Sequence, residues 1–109
     1  MAKHRSWNLK SSIISHLRRI FFYSPTRQEA LKIAKQKLGY KCAKCKKCFD
    51  KVKVDHIDPV VSLTGWTNWD DFINRLFCEI KKLQCLCEGC HNEKSKKESQ
   101  IRKTNKNAH

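Results

Sequence analysis

The sequence predicts an α+β domain, on three observations. Apolar residues recur at helical spacing through the first third of the chain, a short apolar-polar alternation follows, and two Cys-x-x-Cys pairs bracket what lies between. With 109 residues, 39% of them hydrophobic, the chain can bury one core and little more. It divides into a basic helical extension over residues 1–39, a metal-stapled domain over 40–103 and a tail over 104–109 expected to be disordered.

From Ser11 to Phe22, residues Ile13, Ile14, Leu17, Ile20 and Phe21 form an apolar stripe, with His16, Arg18 and Arg19 on the other side. This is an amphipathic helix with a basic face. A second helix opens either on Ser24 as N-cap ahead of Pro25, or on Thr26 and Glu29 as a capping box. Ala30, Leu31, Ala34 and Leu38 supply its stripe, Lys32, Lys35 and Lys37 its charge, and Gly39 is placed to end it. The basic outer faces suit either solvated helices packed on the core or direct contact with DNA.

In "FDKVKVDHI", Lys51, Val52, Lys53 and Val54 alternate with period two, which reads as a strand with one buried face ending near Pro59. "SLTGWTNWDDFINRLF" then gives a loop around Gly65 and a helix from Trp69 to Ile80, with Trp69, Phe72, Ile73, Leu76 and Phe77 inward. Asp70 and Asp71 suit its first turn. "KLQCLC" reads as a second short strand and "HNEKSKKESQIRK" as a polar, basic helix.

Seven cysteines, an odd number with no secretory leader pattern ahead of them, fit metal thiolates better than a disulfide scaffold. Cys42 and Cys45 in "YKCAKC" form one knuckle, and Cys87 and Cys90 in "CLCEGC" a second. Each knuckle presents two thiolates to one ion, so together they predict a four-cysteine structural zinc site. "CAKCKKC" also permits Cys45 with Cys48, and analogy with the second knuckle favours Cys42 with Cys45. Cys78 and Cys85 lie on apolar patterns and read as core residues. Zinc binding in small peptides is worth about 10–16 kcal/mol. That is comparable with the whole stability of a domain of this size, about 5–15 kcal/mol. Loss of the metal should therefore unfold the chain.

A formal charge of +14 is what a polyanion-binding surface needs, and nucleic acid is the expected partner. A membrane surface is the rival, but the sequence has no apolar run of about 18 residues. The chain is expected to be intracellular and unanchored.

"VDHID" places Asp55 and His56 side by side, and His91 directly follows Cys90. Neighbours in a strand point to opposite faces, so Asp55 and His56 can serve one site only at a strand end, where Pro59 puts them. A carboxylate and an imidazole converging on open space suit a second, catalytic cation with free coordination positions. His56, with an ordinary pKa of about 6.5, is available as a neutral base.

"YKCAKC", "VDHIDPV" and "LQCLCEGCHNEK", in this order, resemble the zinc-knuckle branch of the HNH endonucleases over Tyr40 to Glu98. "GWTNWDDFINRLF" further resembles small HNH proteins encoded by bacteriophages. The resemblance implies a ββα-metal core and an HNH nuclease domain at residues 40–103 that hydrolyses DNA phosphodiesters. His56 would be the general base. Asp55 and His91 would hold one divalent cation, Mg2+ or Mn2+, with Zn2+ and Ni2+ as further candidates. Double-stranded DNA would be the partner, a monomer and a homodimer are both compatible, and the setting would be cytoplasmic, in a bacterial host. Arg18, Arg19, Lys94, Lys96 and Lys97 are the basic residues expected to hold the nucleic-acid backbone.

One position departs from the family pattern. The Asn that usually precedes "LQ" and ties down the loop orienting the base is Lys82 here, which has no acceptor. Asn68 and Asn92 are the candidate substitutes. The rival functions are a zinc-containing nucleic-acid-binding module with weak or no catalysis, and a basic interaction protein for an acidic partner. His4, His16 and His109 lie outside the motif and read as surface residues.

Overall fold

In the computed structural model, which describes residues 7–107, Asn8 caps the first helix, α1 (Leu9–Phe22), by accepting from the Ser11 amide. Phe21 is buried and Ile14 and Leu17 pack against the same core. Ile13 and Ile20, expected inward, are 38% and 59% exposed. The narrower stripe of positions 14, 17 and 21 is all that faces the core.

Ser24 caps the second helix, α2 (Pro25–Ala34), with Pro25 at its first position. The helix stops well before Gly39. Lys35–Gln36 (β1) instead turns back onto Gly39–Lys41 (β2), which pairs in turn with Cys48–Phe49 (β3). Gly39 has φ +123° and lies so close to β3 that a Cβ would stand 2.5 Å from the Phe49 carbonyl oxygen. It marks a strand pairing rather than a helix end, and Leu38 is left 84% exposed.

A second sheet pairs Lys53–His56 (β4) antiparallel with Leu83–Leu86 (β5), setting Asp55 opposite Gln84 and His56 opposite Leu83. β4 ends at His56, before Pro59. Between these strands runs the third helix, α3 (Trp69–Leu76), capped by Asn68 and shorter than expected because it gives way before a single 3-10 turn at Ile80–Lys82. Phe72 and Leu76 are fully buried, whereas Ile73 and Phe77, expected inward, are exposed. Burial of each such Phe or Leu is worth about 1.5–3 kcal/mol.

The core has two parts. Phe21, Ala30, Val60, Phe72, Leu76 and Leu83 form one cluster, and Cys42, Leu86 and Cys87 form the other. β5 contributes to both. The last helix, α4 (Glu88–Asn107), buries no residue, and its inward positions are polar. Arg102 donates to the Val61 carbonyl at 2.6 Å and Asn105 to the Leu63 carbonyl at 2.9 Å. These bonds explain why residues 104–107, expected to be disordered, continue the helix. His4 and His109 lie outside the described residues, and His16 is exposed as expected. Among the described residues no helix is long and apolar enough to cross a membrane.

The two positive-φ glycines make a prediction. Gly65 has φ +117° with nothing within 4 Å of an added Cβ. Gly65→Ala should therefore cost only the backbone strain, about 1–3 kcal/mol. Gly39→Ala adds the contact with Phe49 and should cost clearly more in urea unfolding of the metal-loaded protein. Equal losses would contradict the close approach of β2 to β3.

Candidate functional site

The four knuckle cysteines meet. Sγ atoms of Cys42, Cys45, Cys87 and Cys90 lie within 4.8 Å of one another, and those of Cys45 and Cys87 are 4.0 Å apart. Four sulfurs held about 2.3 Å from one zinc ion would stand about 3.8 Å apart, so the cluster is of a size to hold a metal such as zinc. Cys48 lies outside it, in β3. Each knuckle is folded by an amide reaching back to its first sulfur, Cys45 N to Cys42 and Cys90 N to Cys87, both at 3.5 Å. A backbone bond from Ala43 to the Cys85 carbonyl, 2.8 Å, fastens the first knuckle to β5.

Burial raises the Cys42 thiol, but amides of Cys87, Cys45 and Lys44 outweigh it and bring the thiol down to about 6. Cys90 is pushed up to about 12, first by its hydrogen bond with the Cys87 side chain and then by burial. The amides thus favour the Cys42 thiolate, and a bound cation would favour the Cys90 thiolate in the same way. Burial raises Cys78 and Cys85. Both stay neutral packing residues, as expected, and Cys85 Sγ donates to the Ala30 carbonyl at 3.5 Å.

A separate cleft of about 650 Å³ opens between α1, the end of β4 and α4. Asp55, His56 and His91 all line it. Because α3 ends at Leu76, that residue's carbonyl has no partner within the helix and accepts from His56 Nε2 at 2.8 Å. A carbonyl can only accept, so Nε2 carries the proton and Nδ1 keeps its lone pair. The Phe21 ring packs on the imidazole at 4.7 Å between centroids. Burial, the largest influence, lowers the His56 pKa from its ordinary value, against weaker upward effects of the Leu76 hydrogen bond and of Asp55.

Asp55 points the other way, toward α4. Its Oδ2 accepts from Gln84 Nε2 at 2.9 Å and pairs with Lys94 Nζ at 3.2 Å. Its Oδ1 faces His91 Nε2 at 3.8 Å, too far for a hydrogen bond. Two ligand atoms each about 2.1 Å from one ion stand about 3.0–4.2 Å apart, so this gap admits a small divalent cation. His91 Nδ1 is the one buried side-chain nitrogen or oxygen without a partner among the described residues. Packing alone leaves it unsatisfied, at a cost of about 1–3 kcal/mol.

The five expected backbone-binding residues divide. Arg18 lines the cleft, and Arg19 is exposed on α1 away from it. Lys96 borders a shallow groove with Asn92 and Ser99, and Lys97 lies within 4.0 Å of Glu93. Lys94 turns inward, with its side chain only 22% exposed. Arg27 and Arg102 line the cleft and were not singled out in the sequence. Gln84 was also missed, although strand register places it directly across from Asp55. The Lys82 side chain is exposed, but its carbonyl accepts from the Ile57 amide at 2.9 Å, so backbone ties down the loop after His56. Asn68 is committed to the α3 cap, and Asn92 is exposed on α4.

The cysteine cluster predicts that purified protein retains one tightly bound metal ion per chain. Cys87→Ser should lose that metal together with most helical circular dichroism. Cys78→Ala should retain the metal. A folded, metal-loaded Cys87→Ser variant would contradict the four-sulfur site.

No protein-family model, characterised protein or solved structure matches this chain, so any functional reading rests on the geometry of these two sites.

Proposed function

We propose that the chain is a metal-dependent endonuclease of the HNH type, hydrolysing DNA phosphodiester bonds, with structural zinc at Cys42, Cys45, Cys87 and Cys90. The observation that carries the reading is that His56 lines the same cleft as the Asp55–His91 pair, with its Nε2 held by the Leu76 carbonyl. That bond would leave Nδ1 as the atom that takes a proton from water. The antiparallel β4–β5 pair followed by α4, with α3 inserted between the two strands, is compatible with a ββα-metal core, which supports the same reading.

In this reading the scissile phosphate lies in the cleft between His56 and Asp55. His56 removes the proton from an attacking water, and Leu76, by fixing the imidazole, keeps the base aimed at one side of the phosphorus. A divalent cation such as Mg2+ or Mn2+ held by Asp55 and His91 would supply charge stabilisation to the pentacovalent phosphorus and the departing 3′ oxygen. Gln84 orients Asp55 from the opposite strand. Arg18, Arg27 and Arg102 border the same cleft and give it the positive charge a polyanion needs. The exposed Lys96 and Lys97 would add contacts to flanking DNA.

The rival reading, a zinc module that binds nucleic acid without cutting it, draws on one observation: Lys94 already neutralises Asp55. Plasmid cleavage separates the two. The wild-type protein should cut supercoiled DNA with Mg2+ or Mn2+ and not with EDTA. His56→Ala should lower the rate by about 10²–10⁴-fold while retaining fold and low-salt DNA retardation. Retarded but uncut DNA under every metal would favour the binding module, and full activity in His56→Ala would remove His56 as the base.

A further inference from the structure

Lys94 is held by three acceptors on two elements. Its Nζ stands 2.6 Å from Glu98 Oε2, 3.2 Å from Asp55 Oδ2 and 3.1 Å from the His56 carbonyl oxygen. The surroundings are half-buried, with the side chains of Lys94, Asp55 and Glu98 22%, 11% and 20% exposed. Solvent and salt therefore screen these charges less than they would on an open surface.

The two carboxylates are not equivalent. Asp55 is fixed on β4 by Gln84, and its second oxygen is the one facing His91. Glu98 lies one turn along α4 from Lys94, so the pair is carried on a single helix and moves with it. The ammonium is also nearer Glu98 than Asp55. A lysine stem with several rotatable bonds can swing away from β4 while keeping its bond to Glu98.

We propose that Lys94 is a tethered competitor for the divalent-cation site, neutralising Asp55 until the cation enters, and that Glu98 is the carboxylate onto which its ammonium withdraws. The inference rests on the reading of Asp55 and His91 as cation ligands. A cation on Asp55 Oδ1 would sit within a few ångströms of an ammonium left on Oδ2, and like charges at that range oppose each other strongly. Withdrawal onto Glu98 relieves the repulsion without leaving the ammonium unpaired. A Lys94 that merely clamped α4 to β4 would repel the cation too; what sets withdrawal apart is that the effect of Glu98 on cation binding then depends on Lys94 being present.

The test is a titration of the zinc-loaded full chain with Mn2+, reading free Mn2+ by electron paramagnetic resonance. Lys94→Met keeps the stem and removes the charge, and it should bind Mn2+ about tenfold tighter or more. Glu98→Gln removes the withdrawal site and should bind Mn2+ severalfold more weakly. In the double variant the Glu98 substitution should have no further effect, because nothing is left to withdraw. Unchanged or weaker binding in a folded Lys94→Met variant would overturn the proposal, as would weaker binding in the double variant, which would make Glu98 a direct ligand. Should Lys94→Met fail to fold, Lys94→Gln and Glu98→Gln read the same competition. If Mn2+ binds and is lost in Asp55→Asn but is indifferent to Lys94, only the competitor role fails. If no variant binds Mn2+, the cation reading of Asp55 and His91 fails and takes the competitor with it.

Discussion

The meeting of two cysteine knuckles from opposite ends of the core is the constraint on which the rest depends. Cys42 and Cys45 follow β2, whereas Cys87 and Cys90 flank the first turn of α4, and their sulfurs share one small volume. Once Cys87 and Cys90 are fixed, the direction in which α4 leaves the sheet is fixed with them. His91, Lys94 and Glu98 then fall on the face that looks at β4. A metal held by the cluster would contribute on the order of 10 kcal/mol, more than the few buried apolar side chains of α3 provide together.

The inward face of α4 replaces apolar packing with specific polar contacts. His91, Lys94, Glu98, Arg102 and Asn105 recur at helical spacing, and four of them are paired with groups elsewhere on the chain or on the helix. Such a face is less forgiving than a hydrophobic one, because every unpaired group costs desolvation energy. The exception is His91, whose buried Nδ1 has no partner. The same economy of partners orients His56: the end of α3 frees the Leu76 carbonyl, and that carbonyl decides which imidazole nitrogen keeps its lone pair.

Much of this was legible in the sequence where the signal was local. The cysteine spacing identified the four-sulfur cluster, the Ser24–Pro25 step identified one of two starts for α2, and alternation around Val54 identified β4. The failures came where tertiary pairing overrode a local pattern. Leu38 continued the apolar stripe of α2, but β1 and β2 capture that segment, with Gly39 packed under Phe49. Phe77 suited a longer α3, yet the chain has already left the helix there. Gln84 and the inward turn of Lys94 were not visible because both depend on what lies across from them. The register of β4 with β5 supplies the first, and the rotation of α4 about its cysteines supplies the second. The tail past Lys103 looked disordered because its composition is polar, whereas Arg102 and Asn105 have carbonyls to bind.

Anomalous diffraction at the zinc and manganese edges, from crystals soaked in Mn2+, tests the two-site arrangement most directly. A zinc peak among the four cysteine sulfurs, with a manganese peak between Asp55 Oδ1 and His91 Nε2, is the predicted result. A cysteine cluster without metal, or manganese bound away from Asp55 and His91, would contradict it.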